Sequence, residues 1–240
     1  MSAEAHTDPP PGWLLNEVGV AGRENLDPDH VARYDDKEDA AAQAEVQVCE
    51  AYGLGPASTI VEFGSGTGQF TIAAARRCAR VVAVDVSTVM QQRLSENLES
   101  GIFDNVEPVH AGFLTYRHHG DPADVVYSRY ALHHLPDFWK AVALDRIHAI
   151  LRPGGIFRLW DVVFNFQPSE AAERIEAWCA TGGTTVNVDW SRGELEEHVR
   201  DEHSTFTWIM EPMADRCGFT LDSADCSNDG IFAKYVLRRA

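Results

Sequence analysis

The chain has 240 residues, 45% of them hydrophobic, enough to bury one sizeable core and too few for two full domains. Its 37 Asp and Glu against 20 Lys and Arg give a formal net charge of −17, a field that repels phosphate backbones and anionic membrane surfaces, so neither nucleic acid nor membrane is expected as a partner. The five cysteines are scattered without a Cys-x-x-Cys pair, which points to small buried hydrophobes of a reducing compartment rather than a disulfide framework or zinc site.

Met1 to Gly12 is polar and proline-rich without an apolar leader, so the expectation is a cytoplasmic protein. Trp13, Leu14 and Leu15 form a small apolar cluster able to dock on the body. Asp27-Pro28 reads as a cap with proline in the first turn of a helical segment running to about Tyr52, stopped by Gly53. Segments near 59–63, 80–85, 106–109, 123–128 and 155–163 read as strands and alternate with helices near 69–78, 87–101 and 137–151. That βαβ series demands a mostly parallel sheet with right-handed crossovers. At Leu151-Arg152-Pro153-Gly154-Gly155 the proline ends a helix and the glycines turn the chain into the next strand. A helical stretch follows over roughly 169–180 and 191–217, interrupted by Gly182-Gly183-Thr184-Thr185. Segments 219–224 and 231–237, joined by Asn228-Asp229-Gly230, read as a closing hairpin. The acidic stretches Asp27 to Asp39 and Glu194 to Glu202 read as solvated helix faces.

The most informative stretch is Val61-Glu62-Phe63-Gly64-Ser65-Gly66-Thr67-Gly68, between the first strand and the helix that follows. Glycines at alternate positions let the chain turn sharply and let a ligand approach bare backbone. The second strand ends in Asp85, an acid suited to the two hydroxyls of a ribose. Nicotinamide dinucleotides and S-adenosylmethionine both carry such a ribose. The dinucleotide loop is spaced G-x-G-x-x-G; here it is G-x-G-x-G behind Glu62, whose carboxylate repels a pyrophosphate but can meet an ammonium. At these residues the chain resembles the class I S-adenosylmethionine-dependent methyltransferases, over about Ile60 to Val163 and again from Gly218.

The resemblance implies a doubly wound, seven-stranded, mostly parallel Rossmann-like α/β sheet. It further implies an arm with lid helices over residues 1–52, and a methyltransferase domain over 53–240 with a helical cap inserted at about 165–217. Glu62, Gly64, Ser65, Gly66, Thr67 and Gly68 would surround the methionine part of the cofactor, with Asp85 and Val86 at the ribose and adenine. Gly112 stands where relatives carry an Asp for the adenine amino group, so that contact must come from backbone, water or elsewhere, and Phe113 offers a flat wall. In Tyr127-Ser128-Arg129-Tyr130-Ala131-Leu132-His133-His134-Leu135-Pro136-Asp137, the resemblance puts Ser128 and Arg129 at the methionine end and makes Asp137 a helix cap. His133, His134 and Asp161 are the candidate catalytic groups, since a base is needed only if the acceptor must lose a proton. Tyr34, Trp160, His203 and Trp208 are candidate substrate-binding residues. His198 and His203 are five apart, and one helix face needs a spacing of three or four to share a metal, so no metal centre is expected. The reaction implied is methyl transfer to a small-molecule acceptor; the alternatives are a non-catalytic cofactor-binding regulator and an NAD-dependent oxidoreductase. Fold and cofactor motif do not choose among O, N, C and S as the methylated atom.

Overall fold

The computed structural model describes residues 11–22, 40–99, 101, 103–184 and 190–240. Tyr34 and the Asp27-Pro28 cap lie outside the described residues. Five parallel strands, β1 (Thr59–Phe63), β2 (Arg80–Asp85), β3 (Val106–His110), β4 (Ala123–Arg129) and β5 (Leu151–Phe164), are completed by β7 (Phe219–Cys226) and β8 (Phe232–Arg239) in the order β3-β2-β1-β4-β5-β8-β7. β8 is antiparallel to both β5 and β7, which makes the expected closing hairpin. A two-residue strand, β6 (Thr205–Phe206), pairs parallel with the end of β5, one strand more than the sequence suggests.

Seven α-helices lie among the described residues: α1 (Ala40–Ala51), α2 (Gln69–Ala75), α3 (Thr88–Glu99), α4 (Asp137–Ile150), α5 (Ala171–Cys179), α6 (Arg192–Asp201) and α7 (Thr207–Arg216). Strand residues alternate between two cores, as the two-residue period of a strand requires. Ile60, Val81, Val125 and Tyr127 pack with Val46 and Cys49 of α1 and with Phe70, Ala73 and Ala74 of α2. Val61, Val82 and Val126 face Ala143, Leu144 and Ile147 of α4 and Met210 and Ala214 of α7 on the other side. Both sheet faces are thereby covered, which is why the central strands read as continuous apolar runs.

Three local expectations are corrected. The stretch 191–217 is two helices: Ser191 caps α6, and Thr205 and Phe206 leave helical geometry to pair with Val163 and Phe164 of β5. Asp137 opens α4 without capping it; its Oδ1 accepts from the buried Lys140 Nζ at 2.8 Å and its Oδ2 from Thr205 Oγ1 at 3.3 Å. Glu202 does not sit on a solvated face, since its side chain is only 15% exposed.

The apolar cluster near the start does dock, for Trp13 stacks on Trp139 of α4 with centroids 6.2 Å apart while Leu14 and Leu15 pack on the core. A third apolar cluster, including Val162, Phe164, Trp178, Leu195 and Ile231, holds α5 and α6 against the end of β5. No helix among the described residues is long and apolar enough to cross a membrane.

Candidate active site

Strand order reverses between β1 and β4, and an open α/β sheet has its ligand crevice outside the carboxyl ends of the strands at such a point. There the structure has a cavity of about 360 Å³. That volume falls within the range of small-molecule sites. Its floor is the glycine loop, with Gly64, Gly66 and Gly68 at φ of 72°, 52° and 92°, values an L side chain adopts only under strain. Close approach adds to the constraint: a Cβ on Gly68 would lie 2.2 Å from Leu94 Cδ1, and one on Gly64 would lie 2.4 Å from Ala131 Cβ. Gly68→Ala is therefore expected to lower stability by about 1–3 kcal/mol, measured by urea denaturation.

Asp85 Oδ2 accepts the Gly66 N–H and its Oδ1 accepts the Ser87 N–H, each at 2.8 Å. The acid at the end of β2 thus holds the loop in shape, and burial pushes its carboxyl up while these bonds pull it back. Glu62 is buried on β1 and accepts the hydroxyl proton of Thr71, on the first turn of α2. The hydroxyls of Ser65, Tyr127 and Ser128 are buried with no hydrogen-bond partner among the described residues.

Of the expected cofactor residues, Glu62, Gly64, Ser65, Gly66, Thr67, Asp85, Val86, Gly112, Phe113 and Arg129 line the cavity. Gly68 stands behind the wall as the residue capping α2, and Ser128 is wholly buried at the end of β4. Arg129 lies against two rings, its guanidinium carbon 5.0 Å from the Tyr130 centroid and 4.2 Å from that of Trp160. Tyr130 takes φ of 52°, the one positive value at a non-glycine position among the described residues, and its N–H donates to Trp160 O at 2.9 Å.

His134 lines the cavity, whereas His133 and Asp161 lie outside its wall. Burial drops the His134 imidazole to about 3, so the ring is neutral. His133 Nδ1 lies 2.5 Å from Asp161 Oδ1, and Asp161 is 1% exposed. Burial alone would lower His133, but Asp161 and then Glu202 outweigh it and lift the imidazole to about 9. Of the candidate substrate residues that are described, Trp160, His203 and Trp208 do not line the cavity. Trp160 carries Lys234 Nζ 3.5 Å over its ring, Trp208 stacks on Phe206 in an exposed position, and the backbone of His203 is tied to His133 O and to Lys140 Nζ.

A wall residue that the sequence reading missed is Glu17, brought from the N-terminal arm by a short 3-10 turn. Its Oε1 accepts the Leu114 N–H at 3.0 Å and its Oε2 the Thr115 hydroxyl at 3.1 Å. A Cβ on Gly112 would lie 2.3 Å from Glu17 Oε1. A carboxylate from far along the chain thus fills the space that a side chain at 112 would claim. The glycine was the only signal of it. Trp190, at the entry to α6, joins the wall from the cap.

A family model described as a methyltransferase domain matches residues 60–155. An uncharacterized methyltransferase of Geobacillus thermodenitrificans is 30% identical over 167 residues, 69% of this chain and 70% of that protein. The chain belongs to the class I S-adenosylmethionine-dependent methyltransferases. Its cofactor is S-adenosylmethionine. An uncharacterized methyltransferase of Geobacillus kaustophilus is 31% identical over 105 residues, 44% of this chain and only 47% of that protein, so the match spans about half of that relative. Among solved structures, the cyclopropane synthase MmaA2 of Mycobacterium tuberculosis superposes on this methyltransferase with a TM-score of 0.65 at 16% identity, covering 94% of each chain. That likeness is one of fold.

Proposed function

We propose that this methyltransferase moves the methyl group of S-adenosylmethionine to a small-molecule acceptor. The observation that carries the reading is a single cavity whose wall contains the glycine loop and Asp85 together with Tyr130, His134 and Trp190 from the β4 loop and the cap. A cofactor and a small acceptor can share that space, and the net charge of −17 disfavours polyanionic acceptors. The donor set suits the cofactor: carboxylates for an ammonium, a ribose and an amino group, an orphaned hydroxyl at Ser65, and bare glycine backbone. In this reading Asp85 holds the ribose hydroxyls, Glu62 and Gly64 to Gly68 take the methionine part with Ser128 and Arg129, and Val86 and Phe113 flank the adenine. Residues 1–52 act as arm and lid, and 53–240 as the catalytic domain.

Bound S-adenosylmethionine supplies an electrophilic methyl on a sulfonium. The chain's own part is to align the acceptor lone pair, exclude water and keep the acceptor oriented. His134, neutral and on the cavity wall, forms a hydrogen bond with the acceptor. His133 and Asp161 act through it as positioning residues, holding the loop that carries His134.

Glu17 receives the adenine amino group in place of a side chain at 112. Wild-type protein is expected to prefer S-adenosylhomocysteine over its inosine counterpart, which lacks that amino group, and Glu17→Gln to shrink the preference about tenfold or more. Calorimetry on the two ligands checks this, and an unchanged ratio removes Glu17 from the adenine site.

The function as a whole is tested by titrating the protein with S-adenosylmethionine, S-adenosylhomocysteine and NAD at fixed salt, then incubating it with methyl-labelled cofactor and cell extract. Micromolar binding of the first two ligands, no heat with NAD and label in the small-molecule fraction are expected. Binding of NAD alone, or label confined to protein or nucleic acid, overturns the reading.

A further inference from the structure

Where the cap meets the loop after β4, outside the cavity wall, two imidazoles and a carboxylate converge. His133 is held by Asp161 from both ends: its Nδ1 lies 2.5 Å from Oδ1, and its backbone N–H donates to Oδ2 at 3.1 Å. That grip turns His133 Nε2 toward Glu202 Oε2, 2.9 Å away. On α6, His198 engages Ser204 Oγ through Nε2 at 2.8 Å, leaving Nδ1 only 2.5 Å from the same Glu202 Oε2. The ligating atoms of His133, His198 and Glu202 all lie within 4.8 Å of one another.

Glu202 Oε2 is buried, and among the described residues no N–H is aligned on it as a hydrogen-bond donor. The Nδ1 of His134, 3.9 Å away, is likewise buried without a hydrogen-bond partner there. Two imidazole nitrogens within 2.9 Å of one carboxylate oxygen, with a third at 3.9 Å, gather nitrogen and oxygen donors around one point. The Asp161–His133 contact matches the carboxylate that orients an imidazole ligand and raises its basicity from behind. Two imidazoles and one carboxylate are a donor set that Zn²⁺ accepts in tetrahedral geometry.

We infer that His133, His198 and Glu202 form a structural Zn²⁺ site, with His134 Nδ1 as the nearest fourth donor, that pins the cap to the rim of the cavity. His198 and Glu202 stand at i and i+4 on the end of α6, the spacing that one helix face needs. The third ligand comes from the other side of the cap–sheet boundary, so the ion closes the cap onto the loop that carries His134.

The test uses the full chain with any affinity tag removed, dialysed against a chelator, then titrated with Co²⁺ followed spectroscopically and with Zn²⁺ followed by calorimetry. One equivalent of each is expected to bind, Co²⁺ with the visible bands of a tetrahedral site and no thiolate charge-transfer band, and Zn²⁺ is expected to raise the melting temperature. His198→Asn and Glu202→Gln should each weaken Zn²⁺ binding at least tenfold to a hundredfold. His118→Asn, outside the cluster, should leave it unchanged, with circular dichroism confirming that each variant is folded. No stoichiometric binding to wild-type protein, a thiolate band, or wild-type affinity in both cluster variants overturns the inference. Should both variants fail to fold, the wild-type Co²⁺ spectrum alone decides.

Discussion

Glu45→Ala is expected to lower the unfolding free energy by about 3–5 kcal/mol, the cost of leaving one partner of a buried ion pair without the other. Glu45 on α1 meets Arg158 on β5 through two hydrogen bonds, Nε to Oε2 at 2.8 Å and Nη2 to Oε1 at 2.9 Å. The side chains are 4% and 6% exposed, so water cannot take over as partner. The variant would therefore strand the Arg158 guanidinium, while Lys234 Nζ, 3.9 Å from the same carboxylate and 32% exposed, keeps access to water. The pair joins α1 to the middle of the sheet, and its loss should free α1 from the face it covers. Urea denaturation measures the effect. The double variant Glu45→Met, Arg158→Met should recover most of the loss, because replacing both charges removes the stranded ion. A single variant as stable as wild type, or a double variant worse than the single, would sink this account.

The second large effect is on the cofactor. Asp85→Ala is expected to weaken S-adenosylmethionine binding by about 1.5–3 kcal/mol, roughly ten- to 150-fold. The carboxylate serves twice: it shapes the glycine loop through the N–H groups of Gly66 and Ser87, and its remaining lone pairs are available to ribose hydroxyls. Asp85→Asn keeps an acceptor oxygen and should lose less than alanine does. Calorimetric titration of the three proteins provides the comparison, and equal affinities would mean that the ribose lies elsewhere.

Much of this was legible along the chain. Strands β1, β2 and β4 fall on largely apolar runs, because a strand covered on both faces needs side chains that tolerate burial at nearly every position. The glycine loop and Asp85 were legible for a similar reason. A tight turn against a ligand has few chemical solutions, and they lie within a few residues of one another. Where local preference met competition from tertiary pairing, the sequence misled. The stretch 191–217 carries helical periodicity, yet Thr205 and Phe206 gain more from joining β5 than from continuing the helix. Asp137, capping-like in sequence, is drawn away by the buried ammonium of Lys140.

By itself, then, the sequence determined the α/β class, the order of the parallel strands' segments and the place of the cofactor loop, each encoded in windows of about ten residues. Only the tertiary structure decided which distant side chains complete the site. Glu17 reaches Leu114 across 97 positions, and Arg158 meets Glu45 across 113. His133 and Glu202 face each other because the loop after β4 and the cap bring them there. A buried carboxylate must find a donor or a cation wherever the fold offers one. Such partners are chosen by packing in three dimensions, which leaves no periodicity and no spacing in the chain to read.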